Sequence, residues 1–469
     1  VYSASGDDVR ETDSYATRTA RVAKKSAPKA KPAPPLVDKT LRSVKLFYGT
    51  NRARTAPCAQ VEVARWDARS QCRPNGYYGG LLAGSTGDPR AANAANAAGG
   101  PNGDRQGLEV GTVAVTFPPR HAPGKLERPT QVFSFSLRDE DPEKDVVISE
   151  LRSYADEAAW ARDLRATGRD QAFIYVHGFQ TSFDEAARRA AQLAYDLDFD
   201  LDPDFRGVPM FFSWPSRGGV GAYVADYDTS FESIEAFNRF LDLIKKQAGI
   251  RRVHVIAHSM GNRVVAEALY ARGQHAERIV DQLVLAAPDI WASRFRSHFL
   301  RTLPQLAARV TLYVSDKDRA LLASSSIRED EPRAGQVAGG LLEASRGVER
   351  FDAINASTLP TDFLGHSYYA SQGSMLGDIY CLLKGTPITG RPLLAPAGAA
   401  WQFRSMDELK SLNPAACVAA AAIAPRAIPA SAAREYSWTW VLVAAALVVA
   451  VLVLLVVRSR RRASPPTGT

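Results

Sequence analysis

Cysteine is scarce, with four residues in 469 and no C-x-x-C pair, which argues against a structural zinc site. No H-E-x-x-H, dinucleotide fingerprint or nucleotide-binding loop is present, so no metal and no organic cofactor is implied. The Gly-rich run PSRGGVGAY (215–223) lacks the lysine-serine ending of a phosphate-binding loop and reads as a mobile wall of a pocket. Residues 1–40 hold no apolar run, so no export signal is legible there. The middle of the chain also lacks charge of one sign. The net +8 divides into +5 over residues 1–45 and +4 beyond residue 457, leaving −1 for everything between. Basicity therefore belongs to the tails, which suits an anionic membrane surface and offers no case for nucleic-acid binding by the folded part.

Composition divides the chain. Residues 1–40 read as a disordered, basic Ala/Lys/Pro linker, and 391–437 as an Ala/Pro-rich linker with an amphipathic patch over 401–412. Between them, the apolar runs AFIYV, VPMFFSW, RVHVIA, QLVLAA and RVTLYV alternate with helical stretches from 171 to 315. That alternation predicts a mostly parallel sheet with helices on both faces, in a core assigned to 166–390. One helix is expected over 226–248, with Tyr227, Phe231, Ile234, Leu241 and Ile244 as its core stripe. Ahead of the core, 41–165 is expected to be a strand extension built from SVKLFYGT, GTVAVTF and QVFSFSL. Its insertion, 55–106, is rich in Gly, Asn and Ala and is expected to be a surface loop. Cys58 and Cys72 fall in this insertion, close enough to bridge it or to stand as separate thiols; a bridge would require an oxidising compartment.

The chemistry concentrates at VHVIAHSMGNRVV (253–265), a buried-strand run that turns through Ser259 and resumes with helical spacing. Ala257, His258, Ser259, Met260 and Gly261 fit a G-x-S-x-G nucleophile elbow with alanine in the first glycine position. A serine needs a histidine base, and the base needs a carboxylate to orient it. Upstream, QAFIYV ends in His177-Gly178-Phe179, where such a fold gathers the second oxyanion-binding amide, so Phe179 and Met260 are the candidate donors. His177 is read as structural. Downstream, Asp316 and Asp318 follow the run ARVTLYVS, and Asp289 ends QLVLAAPD; Asp318 is preferred as the acid, with Asp316 second and Asp289 third. Of the seven histidines, His121, His177, His254, His258, His275 and His298 all precede the SDKD turn, and His366 follows it, in DFLGHSYY. His366 is accordingly the candidate base.

These segments in this order resemble the α/β-hydrolase superfamily, and within it an uncharacterised bacterial branch described as esterase/lipase-like. The resemblance runs from about Val44 to Lys384. It implies an α/β-hydrolase fold and a serine hydrolase with Ser259 as nucleophile, His366 as base and an aspartate of the SDKD turn as acid. A small-molecule or lipid carboxylic ester is the expected substrate. Acyl transfer or amide cleavage would use the same residues, and a non-catalytic interaction module on the same fold is the alternative of a different class.

Trp438–Val457 is a run of twenty residues without a charge. As a helix it would span about 30 Å, the thickness of a bilayer core, with Trp438 and Trp440 at one interface and the arginines of the basic tail 458–469 at the other. A single-pass membrane protein is expected. The arginine cluster should stay cytoplasmic, placing the catalytic unit outside; the rival is a cytoplasmic enzyme on a C-terminal tail anchor.

Overall fold

Five apolar runs become parallel strands because both faces of each are covered. They are β10 (Gln171–Val176), β11 (Gly207–Ser213), β12 (Arg252–His258), β13 (Val280–Ala286) and β14 (Ala307–Val314). The computed structural model describes residues 37–38, 40, 42–66, 70–82, 107–129, 131–132, 135–136, 138–197, 207–217, 222–273, 277–327, 331–359, 373–398, 400–405 and 407–408. Along β10, Ala172, Ile174 and Val176 enter one core and Phe173 and Tyr175 the other. The period of two thus feeds two apolar layers at once.

The first layer is completed by α1 (Glu157–Ala166), α3 (Tyr223–Glu232), α4 (Ile234–Asp242) and α5 (Gly261–Ala271), through Trp160, Tyr227, Phe237 and Val264 among others. The second takes Phe183, Ala187 and Leu193 of α2 (Phe183–Asp196) and Met375 and Ile379 of α7 (Gly373–Leu383). Between these two helices in sequence, α6 (Arg319–Ile327) follows β14. β15 (Phe351–Asn355) adds a sixth parallel strand beyond β14.

The region ahead of the core joins the same sheet. β2 (Ser43–Thr50) lies parallel to β11 with Phe47 opposite Met210, and β6 (Glu109–Thr116), β9 (Val147–Tyr154) and β4 (Val63–Arg65) continue antiparallel to the edge. A short β1 (Val37–Asp38) also pairs with β2. At the opposite edge, in the stretch read as linker, β17 (Ala400–Phe403) pairs with β15 and β16 (Leu394–Ala397) with β17.

Three expectations need correcting. Among its described residues the segment QVFSFSL supplies β7 (Gln131–Val132) and β8 (Phe135–Ser136), paired with each other, while the long strand of this region is β9. The insertion is only partly a surface loop. A Cys58–Cys72 disulfide closes its first part, Tyr77 and Tyr78 are buried, and β5 (Tyr78–Leu82) pairs with β3 (Arg52–Arg54). The single helix over 226–248 is two helices followed by a π-turn at Leu243–Gln247. Around the break, Thr229, Ser230 and Ser233 bond their hydroxyls to Ala225, Tyr227 and Thr229 carbonyls, competing with the helical ladder. Phe231 is 37% exposed, so it leaves the expected core stripe.

Among the described residues no helix is long and apolar enough to cross a membrane. The expected span, 438–457, lies outside the described residues, as does His366.

Candidate active site

Because β10 to β15 are all parallel, their carboxyl ends share one edge, where ligands of open α/β sheets bind. Ser259 sits there, between β12 and α5, with φ at +51°. A left-handed serine costs on the order of 1–3 kcal/mol and persists only where its surroundings over-determine it. Those surroundings are visible. The Ser259 amide donates to Ala286 O at 3.0 Å, and the Asn262 side-chain amide donates to both Ser259 O (3.0 Å) and Ala286 O (3.1 Å). The Asp289 amide adds a bond to Ser259 O at 3.2 Å. The elbow is thereby pinned to the end of β13.

The small residues of the motif have separate reasons. A Cβ at Gly261 would stand 2.3 Å from His177 O and 2.8 Å from Val176 O, so the helix start passes directly against the end of β10. A Cβ at Gly178 would stand 2.7 Å from Ser259 Cβ. The position that departs from glycine, Ala257, packs its methyl into the first core and is fully buried.

Phe179 lies in the turn after β10, and Met260 is the residue before α5. Neither backbone amide is engaged by an acceptor among the described residues. The turn is shaped by Gln180 at φ +56° and by the capping box of α2, in which Ser182 and Glu185 bond each other's amides. The first turn of PSRGGVGAY is fixed too: Ser216 donates to Asp226 at 2.6 Å and the Arg217 amide to the same carboxylate. Ser216 and Arg217 are thus tied to α3, while residues 218–221 of this loop lie outside the described residues.

The three aspartates differ in surroundings. Asp318 is 1% exposed and its Oδ1 accepts the Leu321 amide at 3.0 Å, capping α6, whereas Asp316 is exposed. Asp289 is buried, but its carboxylate is committed to Tyr223 (2.8 Å), Ser324 (2.6 Å) and Arg333 (3.2 Å). Asp318 and Asp289 are thus both buried, the first after β14 and the second after β13.

His177 stacks on Trp214 with 5.2 Å between rings. Burial and the neighbouring Arg52 pull its pKa down to about 3, and burial together with Arg252 does the same to His254. Neither ring is matched to accept a proton and hold it near neutral pH. His258 is buried inside the elbow.

Sequence reasoning missed Arg52. It is buried beneath the turn and bonds Ser213 Oγ, Gly79 O, Ser216 O, Thr181 O and His177 Nε2. Burial lowers its pKa to about 9, which leaves the guanidinium protonated at neutral pH. Nothing in a lone arginine of YGTNR announces these partners, most of which lie more than a hundred residues away in sequence.

No curated protein is significantly similar to the chain. Among solved structures, phospholipase PlaB from Legionella pneumophila aligns with 40% of this chain and 39% of its own length, at 12% identity and a TM-score of 0.19. The chain thus spans about two fifths of that structure, and an overlap of this quality carries no argument. Residues 153–383 match the family described as alpha/beta hydrolase of unknown function (DUF900). Sheet order, elbow and family match agree, and the unit that carries Ser259 is an α/β-hydrolase.

Proposed function

We propose that the chain is a membrane-anchored serine hydrolase of carboxylic esters. The observation that carries this reading is the left-handed Ser259, held by Asn262 and β13 with the Gly178 backbone packed against it. A non-catalytic module has no use for a strained serine at the open edge of the sheet, which argues against that alternative.

In the proposed cycle Ser259 Oγ attacks the ester carbonyl carbon while His366 takes its proton, and Asp318 orients the imidazole. The carbonyl oxygen becomes an oxyanion between the Phe179 and Met260 amides, where the N-terminus of α5 adds favourable potential. Collapse breaks the carbon–oxygen bond to the alcohol, which leaves with the proton from His366. Water, activated by the same histidine, then releases the acid. The uncharged run 438–457 supports a membrane anchor. The Cys58–Cys72 bridge supports placing the catalytic unit outside the cytoplasm, since such bonds persist in oxidising compartments.

The test is turnover of p-nitrophenyl esters of increasing acyl length by purified protein and by Ser259→Ala. We expect saturable hydrolysis that the variant abolishes. Equal rates for the two proteins would overturn the reading.

A further inference from the structure

We infer that Arg52 is a positioning residue for the oxyanion site, acting through His177 on the peptide that carries the Phe179 amide. The inference rests on the hydrolase reading above and adds a part of the machinery supplied from outside the segment matched to the family.

A guanidinium has five N–H groups in a fixed planar fork. In Arg52 they meet five acceptors: Nε to Ser213 Oγ at 2.8 Å, Nη1 to Gly79 O and Ser216 O at 3.0 Å each, and Nη2 to Thr181 O at 2.7 Å and His177 Nε2 at 3.3 Å. Arg52 thus ties β3, the end of β11 and both sides of the turn 177–181 into one unit.

Arg52 has no lone pair to offer, so His177 Nε2 must be the acceptor in that contact, and Ser213 Oγ, 3.1 Å from the same nitrogen and accepting from Arg52 Nε, donates its hydroxyl proton to it. The proton of the neutral ring then sits on Nδ1, which faces Gly178 O at 2.8 Å and donates to it. Gly178 O belongs to the peptide whose other end is the Phe179 N–H. In a planar trans peptide the carbonyl and the following N–H point in opposite directions. Holding the carbonyl toward the ring therefore turns the Phe179 N–H away from it. The same peptide passes beside Ser259, since a Cβ on Gly178 would stand 2.7 Å from Ser259 Cβ. The arginine selects the tautomer, the tautomer fixes the carbonyl, and the carbonyl sets the direction of the amide. Trp214 Nε1 steadies the assembly by donating to His177 O at 2.8 Å.

The test uses the full chain in detergent, with Arg52→Lys and His177→Phe as variants. Lysine keeps the charge but cannot reach all five acceptors; phenylalanine keeps a ring against Trp214 but has no N–H. For variants whose melting temperatures stay within a few degrees of wild type, we expect kcat on a soluble ester to fall about 10²-fold, with KM within about twofold. Affinity for a trifluoromethyl ketone, which forms an oxyanion on the nucleophile, should fall by the same factor as kcat/KM. Nitrogen-15 NMR of histidine-labelled wild type should show His177 as the Nδ1–H tautomer. Folded variants with wild-type kcat and ketone affinity would overturn the positioning role, as would an Nε2–H tautomer at His177. Wild type that neither reacts with a fluorophosphonate nor hydrolyses esters would instead overturn the hydrolase reading, and this inference with it, whatever the tautomer.

Discussion

Gly261→Ala tests the closeness of elbow and oxyanion turn. The added methyl would lie 2.3 Å from His177 O, and opening that contact to even 3.0 Å requires a displacement of about 0.7 Å. The obstacle is backbone, and His177 O is already held by Trp214 Nε1. No flexible side chain can give way, so α5 and the end of β10 must separate. Overpacking of this kind costs about 1–3 kcal/mol, a drop in melting temperature of about 2–10 °C for a domain of this size. The functional loss should be larger, because the Phe179 amide moves with β10 and the Met260 amide with α5. A misplacement approaching 1 Å costs about 10²-fold in rate. Phosphonylation by a fluorophosphonate, followed as a time course beside a thermal melt, separates the two effects. A variant that folds and labels at the wild-type rate would refute the claim that these two backbones jointly form the site.

Asp318→Asn should lower kcat by about 10³–10⁴-fold with little change in melting temperature. Asp289→Asn, which leaves Arg333 buried beside a neutral partner, should cost on the order of 3 kcal/mol of stability and less activity; the reverse ranking in activity would move the acid to the end of β13. In the loop after β6, burial opposes charge on His121, but bonds to Asp196 and Glu127 outweigh it and raise its pKa to about 9. The folded value exceeds the unfolded one, so this contribution, about 3 kcal/mol, is complete below about pH 6.5 and fades as pH rises through about 9. Melts of wild type and His121→Gln between pH 6 and 10 should therefore converge at the alkaline end; a constant gap would contradict the assignment.

The parts of the fold legible in the sequence were those that bury both faces locally. β10, β12 and β14 are continuous apolar runs, and the elbow is five adjacent residues whose steric demands are readable in place. Where tertiary pairing decides, the sequence misleads. QVFSFSL alternates as well as any strand, yet β9, with Ser149, Glu150 and Arg152 among its residues, takes the place beside β6. The insertion reads as loop because Gly, Asn and Ala dominate it, and the buried Tyr77 and Tyr78 are too few to shift that average. Arg52 is the clearest case of what remains hidden. Its function in the fold consists of contacts to Ser213, Ser216, Thr181 and His177, which no local window contains.

The central claim is that Ser259 is a nucleophile. Its most direct test is peptide mapping of the purified chain after reaction with a fluorophosphonate, with Ser259→Ala treated in parallel. The account predicts a single phosphonylated peptide containing VHVIAHSMGNR, modified at Ser259, and an unmodified variant that melts as wild type does. Modification at another serine, or labelling undiminished in Ser259→Ala, would contradict it.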